Sequence, residues 1–260
     1  MESAIGVRTA PEPGAATAVA LSRVGRVLGG RTVLEEIDLR VPHGGRVAIV
    51  GRSGTGKSTL LSLVAGLDEP DAGTVSVDGA TLPRARLSRC ALMPQRDCLL
   101  PWRTALDNAC LALENRGVSR DEARRRAAPL FERFGLAGSE RLRPAELSAG
   151  MRQRVAFVRT LLAQKDVLLL DEPFGALDAI TRGELQEWLR EALETERRTV
   201  LLVTHDVEEA LLLCDTVVVL ARGRIAAELA VDLVRDGPRS GIVTSPAFVE
   251  LREQALEALE

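Results

Sequence analysis

Residues 47–58 read Val47-Ala48-Ile49-Val50-Gly51-Arg52-Ser53-Gly54-Thr55-Gly56-Lys57-Ser58. Four apolar residues run straight into a glycine-rich loop that fits G-x-x-x-x-G-K-[ST], a phosphate-binding pattern. The pattern needs a strand before it and a helix after it. Val47–Val50 predict a short buried strand, and Leu60, Leu61 and Val64 predict a helix that stops at Gly66. The glycines let backbone N–H groups curl around a phosphate, and the helix N-terminus adds a favourable dipole. Lys57 is one of only two lysines in a chain with 34 lysines and arginines together. A compact ammonium folds back among phosphate oxygens more readily than a planar guanidinium. Ser58 is then placed to ligate Mg²⁺. A glycine-rich turn before a helix is the plain alternative.

Composition limits the function classes. At 260 residues the chain is long enough for one large or two small folding units. Hydrophobic content of 46% and charged content of 27% suit a soluble globular protein. A net charge of −3 argues against a nucleic-acid partner, which favours a basic surplus. Apolar runs such as Val167–Leu170 and Val217–Ala221 fall far short of a membrane span. Residues 1–17 lack a charged start followed by an apolar block, so they read as a flexible tail and not a secretory signal. Cys90, Cys98, Cys110 and Cys214 form no C-x-x-C pair, and the histidines are His43 and His205, which argues against a zinc site. The cysteines read as reduced and mostly buried, as in a cytosolic protein.

Along the chain, the first 50 residues read as strands. Ile37, Leu39 and Val41 alternate with polar neighbours, Pro42-His43-Gly44-Gly45 marks a turn, and Thr74–Val77 runs into Asp78-Gly79. From about residue 104 the pattern turns helical: Thr104 caps with Asp107 in the first turn, and Ser119 with Glu122 fits a capping box. Residues 96–146 read as a mostly helical insertion. Strand–helix alternation then resumes through Val167–Leu170, a helix at about 179–196, Thr199–Val203, a helix at about 206–213 and Thr216–Leu220. This is the pattern of an α/β fold with a parallel sheet covered by helices. A polar helix at about 246–259 ends the chain, and no internal repeat is visible.

Val167–Leu170 leads into Asp171-Glu172, an apolar strand ending in two carboxylates. Beside a phosphate loop, the Asp completes a Mg²⁺ shell and the Glu orients an attacking water. Capping of the next helix is the competing structural reading. The preceding block, Leu147-Ser148-Ala149-Gly150-Met151-Arg152-Gln153-Arg154, resembles the L-S-G-G-Q or L-S-G-G-M signature, followed by R-Q-R, of the ATPase subunits of ABC transporters. Gln95 matches that family's Q-loop glutamine, Phe174-Gly175-Ala176-Leu177-Asp178 its D-loop, and His205, in Leu202-Val203-Thr204-His205-Asp206, its switch histidine. The resemblance runs from about residue 18 to the end. It implies a P-loop NTPase with a central, mostly parallel sheet, an N-terminal antiparallel β subdomain and a helical insertion subdomain. The core would take 18–95 and 160–230, the helical subdomain 96–159, and a C-terminal extension 231–260.

The resemblance also implies a mechanism. Family members act as head-to-tail ATPase pairs, expected here to be a homodimer formed with ATP. Gly51, Ser53, Gly54, Thr55, Gly56, Lys57, Ser58 and Thr59 would hold the phosphates. Ser58, Gln95 and Asp171 would hold Mg²⁺. Ser148 and Gly150 would reach the γ-phosphate across the dimer, with Asp178 of the D-loop nearby. Glu172 would be the general base or water-positioning residue, and His205 would hydrogen-bond the γ-phosphate. Taken alone, His205 reads first as an ordinary strand-end histidine, and the surrounding motifs reverse that; Asp206 reads as the cap of the next helix.

Two positions depart from the family pattern. Leu28 stands where an aromatic residue usually stacks on adenine, and no aromatic residue precedes Trp102. Ala149 replaces a signature glycine, at a helix start where φ is negative and the backbone N–H survives.

A chain that cannot span a membrane needs a permease partner. The family's docking surface falls on Gln95–Arg103, where Leu99-Leu100-Pro101-Trp102 would wall a groove for a partner helix or else fill the core. Together with Asp171-Glu172-Pro173-Phe174 and the following residues to Arg182, and the ending Pro246-Ala247-Phe248 with Leu251, these features resemble the importers of nitrate, sulfonates and taurine. Such importers imply an extracytoplasmic substrate-binding protein and a place on the cytoplasmic face of the membrane. The runner-up substrate is a pyrimidine-type or other small organic nutrient. A soluble ABC ATPase acting on DNA or ribosomes, and a P-loop kinase or GTPase, are rivals from other classes.

Overall fold

A two-residue turn at Gly29-Gly30, with φ of 57° and 78°, joins β1 (Thr17–Leu28) to β2 (Arg31–Pro42). Positive φ at both central residues gives a tight hairpin its right-handed twist, and glycine adopts it without strain. The two strands pair antiparallel from Leu28↔Arg31 back to Thr17↔Pro42. The computed structural model describes residues 16–260 except Ala176, Glu196 and Asp236. The expected tail at 1–15 therefore lies outside the described residues, as does Ala176 of the D-loop. Thr17, expected in that tail, is instead the first residue of β1. It pairs with Pro42 and is followed by Ala18 and Val19, both buried in the core.

The remaining strands are β3 (Arg46–Val50), β4 (Ala72–Val77), β5 (Cys90–Met93), β6 (Val167–Asp171), β7 (Thr199–Thr204), β8 (Thr216–Ala221) and β9 (Arg224–Ala230). They form a three-stranded antiparallel sheet, β2-β1-β4, and a six-stranded sheet, β5-β6-β7-β3-β8-β9. The first five strands of the larger sheet run parallel, and β9 joins β8 antiparallel. Side chains alternate across a strand, and here both faces are apolar. Val47, Ile49, Leu169, Leu201, Val203 and Val218 pack with the helix Lys57–Ala65 and the antiparallel sheet. Ala48, Val50, Leu168, Leu170, Leu202 and Val219 pack against the other helices. A sheet buried on both sides explains why these strands read as continuous apolar runs.

The segment between β5 and β6 is helical, with helices Ala105–Ala109, Leu111–Glu114, Arg120–Arg133 and Ala149–Leu162. The domain boundary expected at 159/160 falls inside the last of these. Thr104 accepts the Asp107 N–H at 3.2 Å as expected. The buried Asp107 carboxylate then ties the insertion together by accepting from Arg120 (2.9 Å) and Arg124 (2.8 Å). At Ser119 only half of the expected capping box forms. Ser119 Oγ accepts the Glu122 N–H at 3.4 Å, but the Glu122 carboxylate goes to Arg125 and Arg126 at 2.6 and 2.7 Å. Charged donors compete for it more strongly than a neutral backbone N–H.

Phe134, Phe157 and Trp188 form an edge-to-face trio with centroids 5.1–5.9 Å apart, locking the insertion to the helix Ala179–Thr195. The last helix, Pro246–Glu257, is capped by Ser245 and buries Phe248 and Ala255, so its inner face is apolar.

Candidate active site

β3 delivers the chain into the loop 51–58, where the glycines are required by space. A side chain on Gly51 would strike the Leu220 carbonyl at 2.6 Å, and one on Gly56 would meet Val33 and Leu34 at 2.9 Å. Gly56 is the N-cap of Lys57–Ala65, and no side chain caps that helix end. Its first-turn N–H groups are open to an anion. Lys57 is 5% exposed, and its Nζ donates to the carbonyls of Gly51 (2.9 Å) and Arg52 (3.1 Å). An ammonium has three donors; two hold the loop curled, which leaves one for a phosphate oxygen. This donor set suits a nucleoside triphosphate.

β6 ends in Asp171 and Glu172. Ser58 Oγ donates to Asp171 Oδ1 at 3.1 Å. Burial raises the Asp171 pKa, the neighbouring Glu172 charge adds to the rise, and the Ser58 bond opposes it. A hydroxyl beside a partly buried carboxylate is a hard-oxygen pair that fits Mg²⁺.

Glu172 sits at φ 43°, a region that a non-glycine residue seldom adopts and that often marks functional sites. Its N–H donates to the Val203 carbonyl at 2.8 Å, and its carbonyl accepts from Gly175 at 3.1 Å. Its carboxylate lies at the strand ends, where Oε2 accepts from Gln95 Nε2 at 3.0 Å and lies 3.3 Å from His205 Nδ1. Oε1 is 3.7 Å from Lys57 Nζ. Residues 57, 95, 172 and 205, remote in sequence, thus meet around one carboxylate. Neither Asp171 nor Glu172 caps the next helix. Asp178 does so, accepting from Ile180 and Thr181 N–H at 3.1 Å each, and these bonds, that to Thr181 foremost, hold its pKa low.

The segment Leu147–Arg154 starts the helix Ala149–Leu162. Ser148 is its N-cap, with Oγ accepting the Met151 N–H at 3.2 Å. Ala149 is its first residue and is not among the residues of positive φ, so the alanine sits without strain. Gly150 is buried, and a side chain there would meet Thr181 and Leu185 at 3.4 and 3.5 Å. The same helix grips the chain after Gln95. Arg152 Nε donates to Asp97 Oδ2 (3.2 Å), while Arg159 donates to the carbonyls of Asp97 (2.6 Å) and Cys98 (2.8 Å). Leu99 is buried, as the core-filling alternative expects, whereas Trp102 is 69% exposed.

Residues 34–175 match the family described as ABC transporter. The chain belongs to the ABC transporter family. It is 46% identical over 242 residues to the aliphatic sulfonates import ATP-binding protein SsuB 2 of Streptomyces avermitilis, covering 93% of this chain and 90% of the relative. It is 41% identical to the nitrate import ATP-binding protein NrtD of Synechococcus elongatus, covering 89% and 86%. It is 42% identical to the taurine import ATP-binding protein TauB of Sinorhizobium fredii, covering 88% of each. The dimeric post-hydrolysis state of the ATP-binding cassette MJ0796, bound to ADP and Pi, matches with a TM-score of 0.72 at 29% identity, over 82% of this chain and 98% of that one. The expected resemblance to nitrate, sulfonate and taurine importers and the expected α/β P-loop fold are both borne out.

Beside the P-loop of this ABC chain lies a cleft of about 600 Å³. Leu28, Arg31 and Val33 form one wall, Ser53–Thr55 another, and Leu220–Gly223 with Leu259 and Glu260 the rest. Leu28 is 41% exposed there, so its aliphatic side chain stands at the mouth of the triphosphate site. Sequence reasoning missed the Arg222-Gly223 turn and the last two residues as lining. The turn has φ of 50° and 78°, the geometry of a tight hairpin. Arg-Gly is a weaker hairpin signal than Asn-Gly or Asp-Gly. The lining role of Leu259 arises from long-range packing and leaves no local signal.

Proposed function

We propose that this chain is the ATP-hydrolysing subunit of an importer for a small anion of the nitrate, sulfonate and taurine class, working with Mg²⁺. The observation that carries the reading is the convergence of Lys57, Gln95 and His205 on Glu172, next to the Ser58–Asp171 pair. Lys57 and the loop N–H groups of Gly51–Thr59 bind the β- and γ-phosphates. Ser58, Asp171 and the amide oxygen of Gln95 would hold the metal, which would supply positive charge to neutralise the phosphate oxygens. Glu172 orients the attacking water and takes its proton. His205 donates to the γ-phosphate, where charge develops. Ser148 and Gly150, at the start of their helix, close the site of a second copy, and Asp178 fixes the adjoining turn. The reading is tested by phosphate release. The parent should turn over ATP, and Glu172→Gln should bind ATP, accumulate as a dimer on size exclusion and lose turnover. Parent-rate hydrolysis by that variant would remove Glu172 from its role.

The import names of the relatives support the remaining assignments. Among the described residues no helix is long and apolar enough to cross a membrane, so translocation falls to a separate permease. The exposed Trp102 and its neighbours from Gln95 to Arg103 form the docking segment, placing the subunit peripherally on the cytoplasmic face. Substrate choice falls to an extracytoplasmic binding protein. Trp102→Ala should leave the ATPase of the isolated chain intact and weaken its pull-down with the cognate permease. Undiminished capture would place docking elsewhere.

A further inference from the structure

Glu209 is 3% exposed and takes no part in the chemistry outlined above. It is the third residue of the helix Val207–Leu213, whose N-cap is Asp206. In a capping box, a Glu at this position reaches back to the N–H of the N-cap residue. Here the reach is relayed through a hydroxyl. The Asp206 N–H donates to Thr204 Oγ1 at 3.0 Å, and the Thr204 hydroxyl donates to Glu209 Oε2 at 3.0 Å. Asp206 Oδ1 accepts from Glu208 N–H (2.9 Å) and Glu209 N–H (3.2 Å). Both neighbours of His205 are therefore held, while its imidazole remains half-exposed beside Glu172. Glu209 Oε1 has no hydrogen-bond partner among the described residues. A buried carboxyl oxygen without a partner costs stability, so capping alone is a poor account of this side chain.

We propose that Glu209 is a positioning residue for His205. By clamping Thr204 it fixes the strand-to-helix turn from which the imidazole reaches the γ-phosphate of bound ATP. The inference rests on the ATPase reading above.

Glu209→Ala and Thr204→Val release the clamp from its two ends. Each should lower kcat about tenfold or more, because small displacements of a catalytic group are costly. Each should leave KM for ATP within about twofold, because the P-loop is untouched. The double variant should be no slower than either single one, since both substitutions break the same contact. Glu209→Gln keeps an acceptor for the Thr204 hydroxyl and should retain most of the parent kcat. Parent-like kcat in Glu209→Ala or in Thr204→Val, additive losses in the double variant, or a KM that rises in step with the fall in kcat would each overturn the proposal. Thr204→Val preserves side-chain shape inside β7 and gives the same readout where Glu209→Ala does not fold. A parent chain that binds ATP without hydrolysing it would overturn the ATPase reading instead, so the two failures are distinguishable.

Discussion

At the scale of single residues, the carboxyl groups around the site differ in burial and partners. Asp171 and Glu172 are half-buried, the first beside the Ser58 hydroxyl and the second near the Lys57 ammonium, whereas Glu209 is buried. Burial pushes the Glu209 carboxyl up to about 8, with Asp206 and Glu172 adding to the rise and Thr204 and Arg182 opposing it. Its ordinary value is 4.5, so folding takes up a proton between these values. The stabilisation is complete below pH 4.5 and is lost as the pH rises through 8. Glu209→Gln cannot ionise. Its Tm should hold steady from pH 5 to 9 while that of the parent declines, with a gap of at least about 2 °C at pH 9; parallel curves would show that Glu209 ionises normally.

A second residue-scale prediction concerns Leu28. Stacking on an aromatic ring contributes roughly 1–3 kcal/mol per base, and leucine offers no such π-face. ATP and GTP should therefore bind with similar affinity by calorimetry. A preference of about tenfold or more for ATP, near 1.4 kcal/mol, would mean that another group reads the base.

At the scale of elements, the Phe134–Phe157–Trp188 trio is where the helical insertion joins the helix that follows β6. Phe157 is buried and touches both partners. Phe157→Ala should cost about 3–5 kcal/mol of unfolding free energy, visible as a lower denaturant midpoint. A loss under about 1 kcal/mol would mean that the helices repack around the gap.

Elements also decide what the sequence could disclose. β3, β6, β7 and β8 were legible because a strand buried on both faces must be apolar throughout. The caps Thr104, Ser119 and Asp206 were legible because capping is a local hydrogen bond. β9 was not: none of its residues is fully buried and its side chains alternate only between partial and full exposure, so no apolar run announces it. In the site, Lys57, Asp171 and His205 were readable from motif and context. The role of Glu209 was not, because its burial and its bond to Thr204 come from tertiary packing around an ordinary acidic helix start.

At the scale of the whole molecule, one helix spans two functions. Ala149–Leu162 begins with the signature residues and, one to three turns later, holds Asp97 and Cys98 of the proposed docking segment through Arg152 and Arg159. In the proposed reading, this helix is the link by which docking at residues 95–103 would reach Ser148 and Gly150. Arg159→Ala should loosen this link, lowering permease-stimulated ATPase by about threefold or more, on the order of 0.5–2 kcal/mol of coupling, while basal ATPase is unchanged. Equal losses in both activities would assign Arg159 to folding.

The chain contains two tryptophans and no tyrosine, and the structure separates them. Trp188 is packed in the ring trio, whereas Trp102 stands exposed on the proposed docking segment. Intrinsic fluorescence therefore divides into two reporters without any label. Emission accessible to acrylamide quenching belongs to Trp102 and should become protected when a permease binds. The shielded component belongs to Trp188 and should change only when the helices around it come apart.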